Sequence, residues 1–345
     1  MRLPVRTVFY HQQPMIRRQD VSFANELLVP ALSLQKLSRS QGEKILDRAR
    51  ETSTLRYREL YGFTHGDPAR VLKAGIGRGV ELFITGVTAE RRLPLRAYHA
   101  AMIFKNGVPV GYFEGLSFFE RMESGFNFYY SFREGETAWI YAKTLAVFHH
   151  LLGVTAFSID PYQIGYENEE GIDSGAFWFY RKLGFRPTNP NLLKLTLAEE
   201  KKIATRRNYR TPARVLRRLA ENHLTFEMPG KTGGAWDRFQ IRNLGIAVQR
   251  RMAKEFGGEA AAIRKASVDA VSRALGIQTR KETSQALSDL ALVLGLIPDL
   301  NRWSTKEKNS VTRIIRARNG ADESQYLRLM QRHPGLRAAI IRLGS

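Results

Sequence analysis

The chain has 345 residues, 43% of them hydrophobic and 25% charged, a balance typical of globular proteins and unlike that of disordered ones. It contains no cysteine, which excludes disulfides, thiolate nucleophiles and cysteine-ligated zinc. The net charge of +21 is uneven: residues 1–200 carry 25 Lys and Arg against 21 Asp and Glu, whereas residues 201–345 carry 29 against 12. This asymmetry predicts a polyanion partner for residues 201–345, most often nucleic acid, although a solvated basic surface has the same composition.

The N-terminal sequence is unlike a signal peptide, because its basic first residues are followed by polar residues 10–13 rather than by an apolar core. No stretch reaches the roughly 18 uninterrupted apolar residues that a membrane span requires. We therefore expect a soluble, cytoplasmic protein without a membrane span. The first 35 residues lack a sustained apolar period and are predicted to run extended.

Two short helices are predicted before the first strands. Ser40 and Glu43 have the spacing of a capping box, which satisfies two free backbone N–H groups at a helix start. Asp67 and Pro68 are typical of a second helix start, and the glycine-rich stretch 75–79 would end that helix. This stretch looks like a phosphate loop, but a phosphate loop precedes a helix. Because a strand is predicted after it, we interpret it as a turn.

The middle of the chain is predicted to be a run of strands followed by alternating helices and strands. Asn106-Gly107 is the strongest short hairpin signal, and it joins two of the predicted strands. The predicted strands cover 80–87, 98–104, 110–118, 125–132, 154–159 and 192–197. The predicted helices cover 137–152, which Gly153 would end, and 174–183. Because a strand–helix–strand step normally forms a right-handed crossover, part of the sheet should be parallel.

The rest of the chain is predicted to be almost wholly helical, with glycine or proline at the short connections. Thr211 and Pro212 begin one helix. Further helices are predicted at 236–256, 259–275, 282–294, 304–318, 323–332 and 335–343. The fold class is therefore α/β (α+β), a mixed sheet flanked by helices and followed by an all-α domain. The predicted domains are an extended segment (1–37), a sheet domain (38–198) and a basic helical domain (199–345).

One short segment carries a family resemblance. Its matching residues are Ala176, Tyr180, Lys182, Gly184 and Phe185. They resemble the helix that closes the core of the GNAT superfamily, which is approximately Ala-x-x-x-Tyr-x-Lys-x-Gly-Phe. The resemblance covers about residues 38–198 and is sharp only over 174–185. It implies a GNAT-like fold and an N-acyltransferase that moves an acyl group from acetyl-coenzyme A, or another acyl-coenzyme A, to an amine acceptor.

The chemistry of that reaction selects three candidate catalytic residues. In the family, the tyrosine of the closing helix lies near the coenzyme A sulfur and can protonate the departing thiolate, and Tyr180 occupies that position. The alternative is a core tyrosine with a satisfied hydroxyl. Glu114, on the same strand face as Tyr112, is the first candidate for the base that takes the ammonium proton, and Asp160 is the second. A carboxylate at a strand end is usually only solvated.

The cofactor loop is the main departure from the family pattern. GNAT proteins carry Gln/Arg-x-x-Gly-x-Gly/Ala there, and backbone N–H groups at a helix start bind the pyrophosphate. The matching stretch is 132–138, in which only Gly135 keeps register. The resemblance assigns the cofactor contacts to Arg133, Gly135, Thr137 and Ala138. Glu134 and Glu136 would repel a pyrophosphate, or they are first-turn residues that stabilise the helix dipole.

Two further stretches bear on ligands. No metal is predicted, because a His-Glu-x-x-His pattern is missing and the adjacent His149 and His150 point apart on a helix. The acidic loop 167–173 could receive a cationic acceptor, or it is a solvated turn.

A cluster of arginines follows the predicted sheet domain. It comprises Arg206, Arg207, Arg210, Arg214, Arg217 and Arg218. Such a cluster would contact phosphates with little sequence preference, or it would only solubilise a helix face. Three functions are therefore open: an acyl-coenzyme A-dependent N-acyltransferase, a catalytically inactive GNAT-like module that binds nucleic acid, and an aminoacyl-tRNA-dependent transferase.

Overall fold

The computed structural model describes residues 2–5, 7–10, 14–132, 135–277 and 284–345. The strands are β1 (Ser33–Lys36), β2 (Leu72–Gly77), β3 (Val80–Gly86), β4 (Ala97–Lys105), β5 (Val108–Phe118), β6 (Arg121–Phe128), β7 (Ala156–Ile159), β8 (Arg186–Pro187) and β9 (Leu224–Glu227). Within the described residues they form one sheet in the order β1-β2-β3-β4-β5-β6-β7-β9-β8.

Helices flank this sheet and make up most of the second half of the chain. Before residue 232 they are α1 (Phe23–Leu27), α2 (Arg39–Thr54), α3 (Tyr61–Thr64), α4 (Thr137–Leu152), α5 (Glu169–Asp173), α6 (Ala176–Arg181), α7 (Pro190–Thr205) and α8 (Ala213–Leu219). After it they are α9 (Ile241–Phe256), α10 (Ala260–Leu275), α11 (Ser284–Leu294), α12 (Thr305–Arg318), α13 (Ser324–Gln331) and α14 (Pro334–Gly344). These elements confirm the predicted fold class of a mixed sheet with flanking helices and a helical region after it. In the described part of the chain, no helix is both long and apolar enough to cross a bilayer.

The sheet is mostly antiparallel, with a parallel pair between its sixth and seventh strands. Strands β1 to β4 pair in antiparallel order, and β7 pairs antiparallel with β9. Strands β6 and β7 are parallel and are joined through α4, which confirms the predicted crossover. Their register runs only from Arg121 to Glu123, so the rest of β6 continues without β7 beside it. A gap therefore opens in the sheet along the second half of β6.

Helix α4 fixes the geometry next to that gap. It begins and ends at the residues predicted for it, and Gly153 ends it with a φ of 73°, a left-handed conformation that glycine adopts without a Cβ clash. Leu145 and Phe148 are among its fully buried side chains. Because only residues 129–136 separate β6 from α4, the first turn of this helix lies close to the end of β6.

The N-terminal segment is not simply extended, which corrects the prediction. Phe23 and Leu27 are buried on the short helix α1, and β1 pairs with β2. The capping box of α2 uses Ser38 and Gln41 rather than a pair that begins at Ser40. Helix α1 has five residues, which is too short for an apolar period to show in the sequence.

Two further element predictions need correction. Residues 192–197, predicted as a strand, lie in α7, because Asn189 caps that helix and Pro190 takes its first position. The last strands are β8 and β9 instead. Arg78 and Gly79 have positive φ in the turn of the β2–β3 hairpin. The glycine-rich stretch is therefore a turn, as predicted, but it follows a strand and not a helix.

The chain divides into two compact units. The first comprises Met1–Thr88, Tyr98–Leu116 and Arg121–Thr232. Its core is rich in aromatic rings: the centroid of Phe23 lies 4.6 Å from that of Phe226 and 5.4 Å from that of Phe185. The domain limits 1–37, 38–198 and 199–345 stay predictions, because compactness does not show which segments fold independently.

The second unit comprises Ala89–Ala97, Ser117–Glu120 and Gly233–Ser345, and it contains helices α9 to α14. Arg318 and Glu323 form a buried ion pair within it. Arg92 Nη1 donates to the carbonyl oxygen of Arg318 at 2.6 Å, and Trp236 Nε1 donates to the Glu120 carboxylate at 2.7 Å. These bonds hold its two short N-terminal segments against its helices.

Candidate active-site cleft

A cleft of about 600 Å³ lies in the first unit, at the gap beside β6. Gly125 to Phe128, the part of β6 without β7 beside it, form one wall. The other walls come from the N-terminal segment, from β5, from the start of α4, and from the stretch between β7 and the end of α6. The cavity thus lies where β6 continues beyond its parallel pairing with β7.

This cleft brings together most of the residues that were predicted to carry catalysis and cofactor binding. Five of them line it: Glu114, Tyr180, Gly135, Thr137 and Ala138. Asp160 does not line it, and Arg133 lies outside the described residues. Two candidates for proton transfer therefore share one cavity with the start of α4.

Glu114 is held in β5 by a neighbouring tyrosine. Tyr112 lines the cleft with it, as strand alternation predicts. The Tyr98 hydroxyl on β4 donates to the Glu114 carboxylate, and the backbone N–H of Gly62 donates to the Tyr98 oxygen at 3.2 Å. Burial raises the pKa of Glu114, and the hydrogen bonds from Tyr98 and Gly62 offset only part of that rise. A carboxylate with a raised pKa is a stronger base near neutral pH.

Tyr180 lies on α6 and is only 4% exposed. Burial raises the pKa of its hydroxyl, so the phenol stays protonated through the neutral range. Its ring packs edge-on against Tyr141 and Phe185, with centroids 5.6 and 5.8 Å away. The Tyr141 hydroxyl is engaged with Ser124 at 2.9 Å, whereas that of Tyr180 has no hydrogen-bond partner among the described residues. A neutral phenol beside a cavity can donate a proton.

Glu136, expected either to repel a pyrophosphate or to stabilise the helix dipole, is not among the residues that line the cleft. Its side chain is 1% exposed and forms an ion pair with Arg78 at 2.7 Å and a longer one with Lys105 at 3.9 Å. The backbone N–H of Ile16 donates to the same carboxylate at 3.1 Å. Burial alone would raise the pKa of Glu136, but the bonds from Arg78 and Ile16 outweigh it and hold that pKa below its ordinary value. Its charge is compensated inside the protein, and Glu134 lies outside the described residues.

The N-terminal segment contributes cleft residues that were not predicted from the sequence. They are Met15, Ile16, Arg17 and Arg18. Arg58, which follows α2, also lines the cleft and lies 3.7 Å from Glu170. Phe23 and Leu27 lie four residues apart and are both buried, but one such pair is too short a pattern to predict an ordered segment from the sequence.

Asp160 belongs to a different cluster. Its carboxylate accepts a hydrogen bond from the backbone N–H of Tyr162 at 2.9 Å and lies 3.6 Å from His223 Nε2. With Glu123 these groups offer ligand atoms within 4.8 Å of one another, so they could hold a metal ion, although none was predicted. Burial and the charge of Arg121 lower the pKa of His223, which shows that a positive group already stands beside the cluster. The position of Asp160 does not support its predicted role as the base.

The predicted phosphate-binding arginines are all exposed. They are Arg206, Arg207, Arg210, Arg214, Arg217 and Arg218. Arg217 is bound to Glu169 through two hydrogen bonds of 3.1 and 2.8 Å. Arg210 precedes α8, whereas Arg214, Arg217 and Arg218 lie on it. Tyr209, which lies within this cluster, donates its hydroxyl to Glu199 at 2.8 Å.

The cleft offers the groups that acyl transfer to an amine needs. Glu114 can take a proton, Tyr180 can give one, and the start of α4 can stabilise an anion. No family model, curated protein or solved structure matches this chain. A functional inference therefore rests on the side chains of this cleft.

Proposed function

We propose that this chain is an N-acyltransferase of the GNAT type, which uses the cleft to move an acyl group from acyl-coenzyme A to an amine. The observation that carries the proposal is the convergence of Glu114, Tyr180 and the start of α4 on one cavity. These groups are distant in sequence, and each has the chemistry of one step. The cavity, of about 600 Å³, is within the range of about 300–1,000 Å³ that small-molecule sites occupy.

In the proposed reaction, Glu114 takes a proton from the acceptor ammonium and later passes it to solvent. The freed nitrogen lone pair forms a bond to the thioester carbonyl carbon, and the carbon–sulfur bond breaks with its electron pair on sulfur. Tyr180 donates a proton to the departing sulfur and regains one from the nitrogen as the amide forms. The products are an amide, a thiol and one proton.

The acidic loop supports a cationic acceptor. Its residue Glu170 lines the cleft with Glu114, and Arg58 lies 3.7 Å from Glu170, so of the two cleft carboxylates only Glu114 has no arginine partner among the described residues. Glu169 does not share this position, because Arg217 binds it. Attraction between opposite charges is stronger in a cavity than in bulk water, which favours an ammonium over a neutral acceptor.

Release of the coenzyme A thiol tests the proposed function, and the chain suits this assay because it has no cysteine to react with a thiol reagent. Acetyl-, succinyl- and palmitoyl-coenzyme A are each offered with a polyamine, a lysine peptide or an amino-acid mixture. We expect thiol release that depends on the amine and an amide product of matching mass. If no acyl-coenzyme A is consumed, and none raises the unfolding temperature at millimolar concentration, the proposed function is wrong.

Nucleic-acid binding is a second candidate function, supported by the six exposed arginines that follow α7 and continue along α8. Within the described residues, Arg217 is the one member of that cluster in an ion pair, so the charge of the others is uncompensated. Such a face would suit a catalytically inactive binding module or an aminoacyl-tRNA-dependent transferase. Retention of RNA and DNA should then fall steeply as salt is raised, and retention that ignores ionic strength would exclude this candidate.

A further inference from the structure

Residues 14–27, here called the N-terminal strap, are fixed at their first end by the ion pair beside α4. The Ile16 N–H donates to Glu136 at 3.1 Å, and the Pro14 carbonyl accepts from Arg78 Nη2 at 3.3 Å. Arg78 and Glu136 are themselves paired at 2.7 Å. This ion pair, between the buried Glu136 and the partly buried Arg78, therefore holds the strap against the start of α4.

The second end of the strap is anchored by burial. Phe23 is 3% exposed and packs edge-on against Phe226, and Leu27 is fully buried. Glu26 pairs with Lys143 of α4 at 2.7 Å. Because both anchors involve α4 or the residue before it, the strap keeps a defined position relative to the start of this helix.

Arg17 and Arg18 lie between the two anchors and line the cleft with Gly135 and Ala138. Neither guanidinium forms an ion pair with any acid in the described ranges. Neighbouring atoms partly desolvate Arg18 and lower its pKa, although its side chain is still largely exposed. Burial and then the charge of Arg18 lower the pKa of Lys182, which places another cation nearby.

The carboxylates that line the cleft do not compensate these arginines. Glu114 accepts from Tyr98, and Glu170 lies beside Arg58. A planar guanidinium presents paired N–H groups that match the oxygens of a phosphate. Charges in a cavity are also less screened than charges on an open surface. Two neighbouring arginines without an acidic partner among the described residues therefore favour an anion, and a diphosphate offers oxygens to both guanidinium groups at once.

We propose that Arg17 and Arg18 form an anion clamp for the diphosphate of the acyl donor. The inference rests on the proposed function, because it takes that donor to be a coenzyme A thioester. The clamp supplies the charge that the loop before α4 lacks, since only Gly135 keeps the register of the GNAT loop. In this proposal the N-terminal strap, which lies outside the region of family resemblance, binds the donor.

Calorimetric titration of the full chain with coenzyme A, pantetheine and inorganic pyrophosphate tests the clamp. The clamp variant is Arg17→Gln with Arg18→Gln, and a second variant replaces both arginines by lysine. The matched control is Arg39→Gln with Lys44→Gln, which removes the same charge from exposed positions on α2. Unfolding temperatures are measured first and should be unchanged, because all four side chains are exposed.

We expect coenzyme A to bind the clamp variant about 100-fold more weakly than the wild type, at about tenfold for each lost charge-assisted contact. Pyrophosphate binding should fall in parallel, and the lysine variant should recover part of both. Pantetheine, which lacks the diphosphate, should bind the wild type and the clamp variant equally. The control should match the wild type with every ligand.

The possible failures of the clamp and of the proposed function are distinguishable. If the clamp variant binds coenzyme A as tightly as the wild type and Glu114→Gln still abolishes transfer, the clamp is wrong and the proposed function stands. If arginine-dependent binding of pyrophosphate occurs but coenzyme A and its thioesters do not bind, the donor assignment and the proposed function are both wrong. If pantetheine binding is also lost in the clamp variant, the effect is structural and the clamp is overturned.

Discussion

The first unit carries its arginines in two different settings. Arg17 and Arg18 lie on a segment anchored at both ends, and they line a cavity. The arginines from Arg206 to Arg218 are also exposed, but they lie around α7 and α8 and do not line the cleft. The sequence drew attention to the second group, because its charges are dense, whereas the first is an ordinary-looking pair near the N-terminus. A dense run of charges in the sequence predicts a charged surface. A binding site also needs a cavity, and a cavity depends on contacts between residues that are distant in the sequence.

The two settings also differ in electrostatics. A charge on an open surface is screened within about 8 Å at physiological salt. It therefore attracts polyanions without fixing their position or orientation. A charge beside a cavity acts on a ligand held in a fixed position. The cleft should therefore discriminate between small molecules, and the exposed arginines should respond mainly to total phosphate charge.

Loss of the proposed base should have the largest effect on the cleft. Glu114→Gln removes the group that takes the ammonium proton, and we expect the transfer rate to fall about 1,000-fold, a typical contribution of general base catalysis. Because burial raises the pKa of Glu114, wild-type activity should fall as the pH drops through that raised pKa, and this acidic limb should vanish in the variant. Thiol release measured against pH checks both, with Glu43→Gln on α2 as the exposed control.

Loss of the proposed acid should be the next largest effect. Tyr180→Phe removes only the hydroxyl, and we expect the rate to fall about 100-fold while coenzyme A affinity is unchanged. Tyr166→Phe, at a 45% exposed tyrosine in the same stretch, is the matched control. A Tyr180→Phe enzyme with the wild-type rate would make Tyr180 a core residue, as the alternative interpretation held.

The ion pair that anchors the strap should contribute to stability. Glu136→Gln removes the carboxylate that pairs with Arg78, whose side chain is 13% exposed, and we expect the free energy of unfolding to fall by about 2 kcal/mol, between the values typical of exposed and of buried pairs. The folded-state pKa of Glu136 is lowered, so its contribution is complete above about pH 4.3, the unfolded value, and is lost as the pH falls through the folded value. Urea unfolding at several pH values should therefore show a difference from wild type that shrinks in acid. An undiminished difference at pH 3 would contradict this origin.

Much of the fold could be predicted because local rules govern it. Asn106-Gly107 predicted the hairpin between β4 and β5, and Gly153 predicted the end of α4. Strand alternation predicted that Tyr112 and Glu114 share a face, and both line the cleft. The prediction of a strand at 192–197 was wrong because the spacing of its leucines fits both a strand and a helix. The N-cap at Asn189 favours the helix.

The cleft could be predicted only in part. Tyr180 and Glu114 were found from the chemistry that they could perform, but the hydrogen bond from Tyr98 to Glu114 depends on the pairing of β4 with β5. The strap depends on contacts between residue 16 and residue 136, which no local pattern encodes. The ion pair of Glu136 could not be predicted for the same reason, since its partner Arg78 is 58 residues away in the chain.

The smallest expected effect concerns the exposed arginines. Arg214→Gln should reduce the slope of log affinity for nucleic acid against log salt by about 1 if that side chain contacts a phosphate. The clamp variant should leave this slope unchanged, because Arg17 and Arg18 line the cavity. Filter retention over a range of salt concentrations measures both slopes. An equal reduction of the slope in both variants would show that the cleft arginines and the exposed arginines bind nucleic acid as one surface.

Hydrogen exchange with and without acetyl-coenzyme A is the most direct test of whether the cleft binds the donor. We expect slower exchange in peptides that contain residues 14–18, 135–140 and 176–180, because these segments line the cavity or begin α4. Exchange in residues 206–218 should not change. Protection confined to residues 206–218, or no protection anywhere at a millimolar concentration of acetyl-coenzyme A, would contradict the proposed use of this cleft.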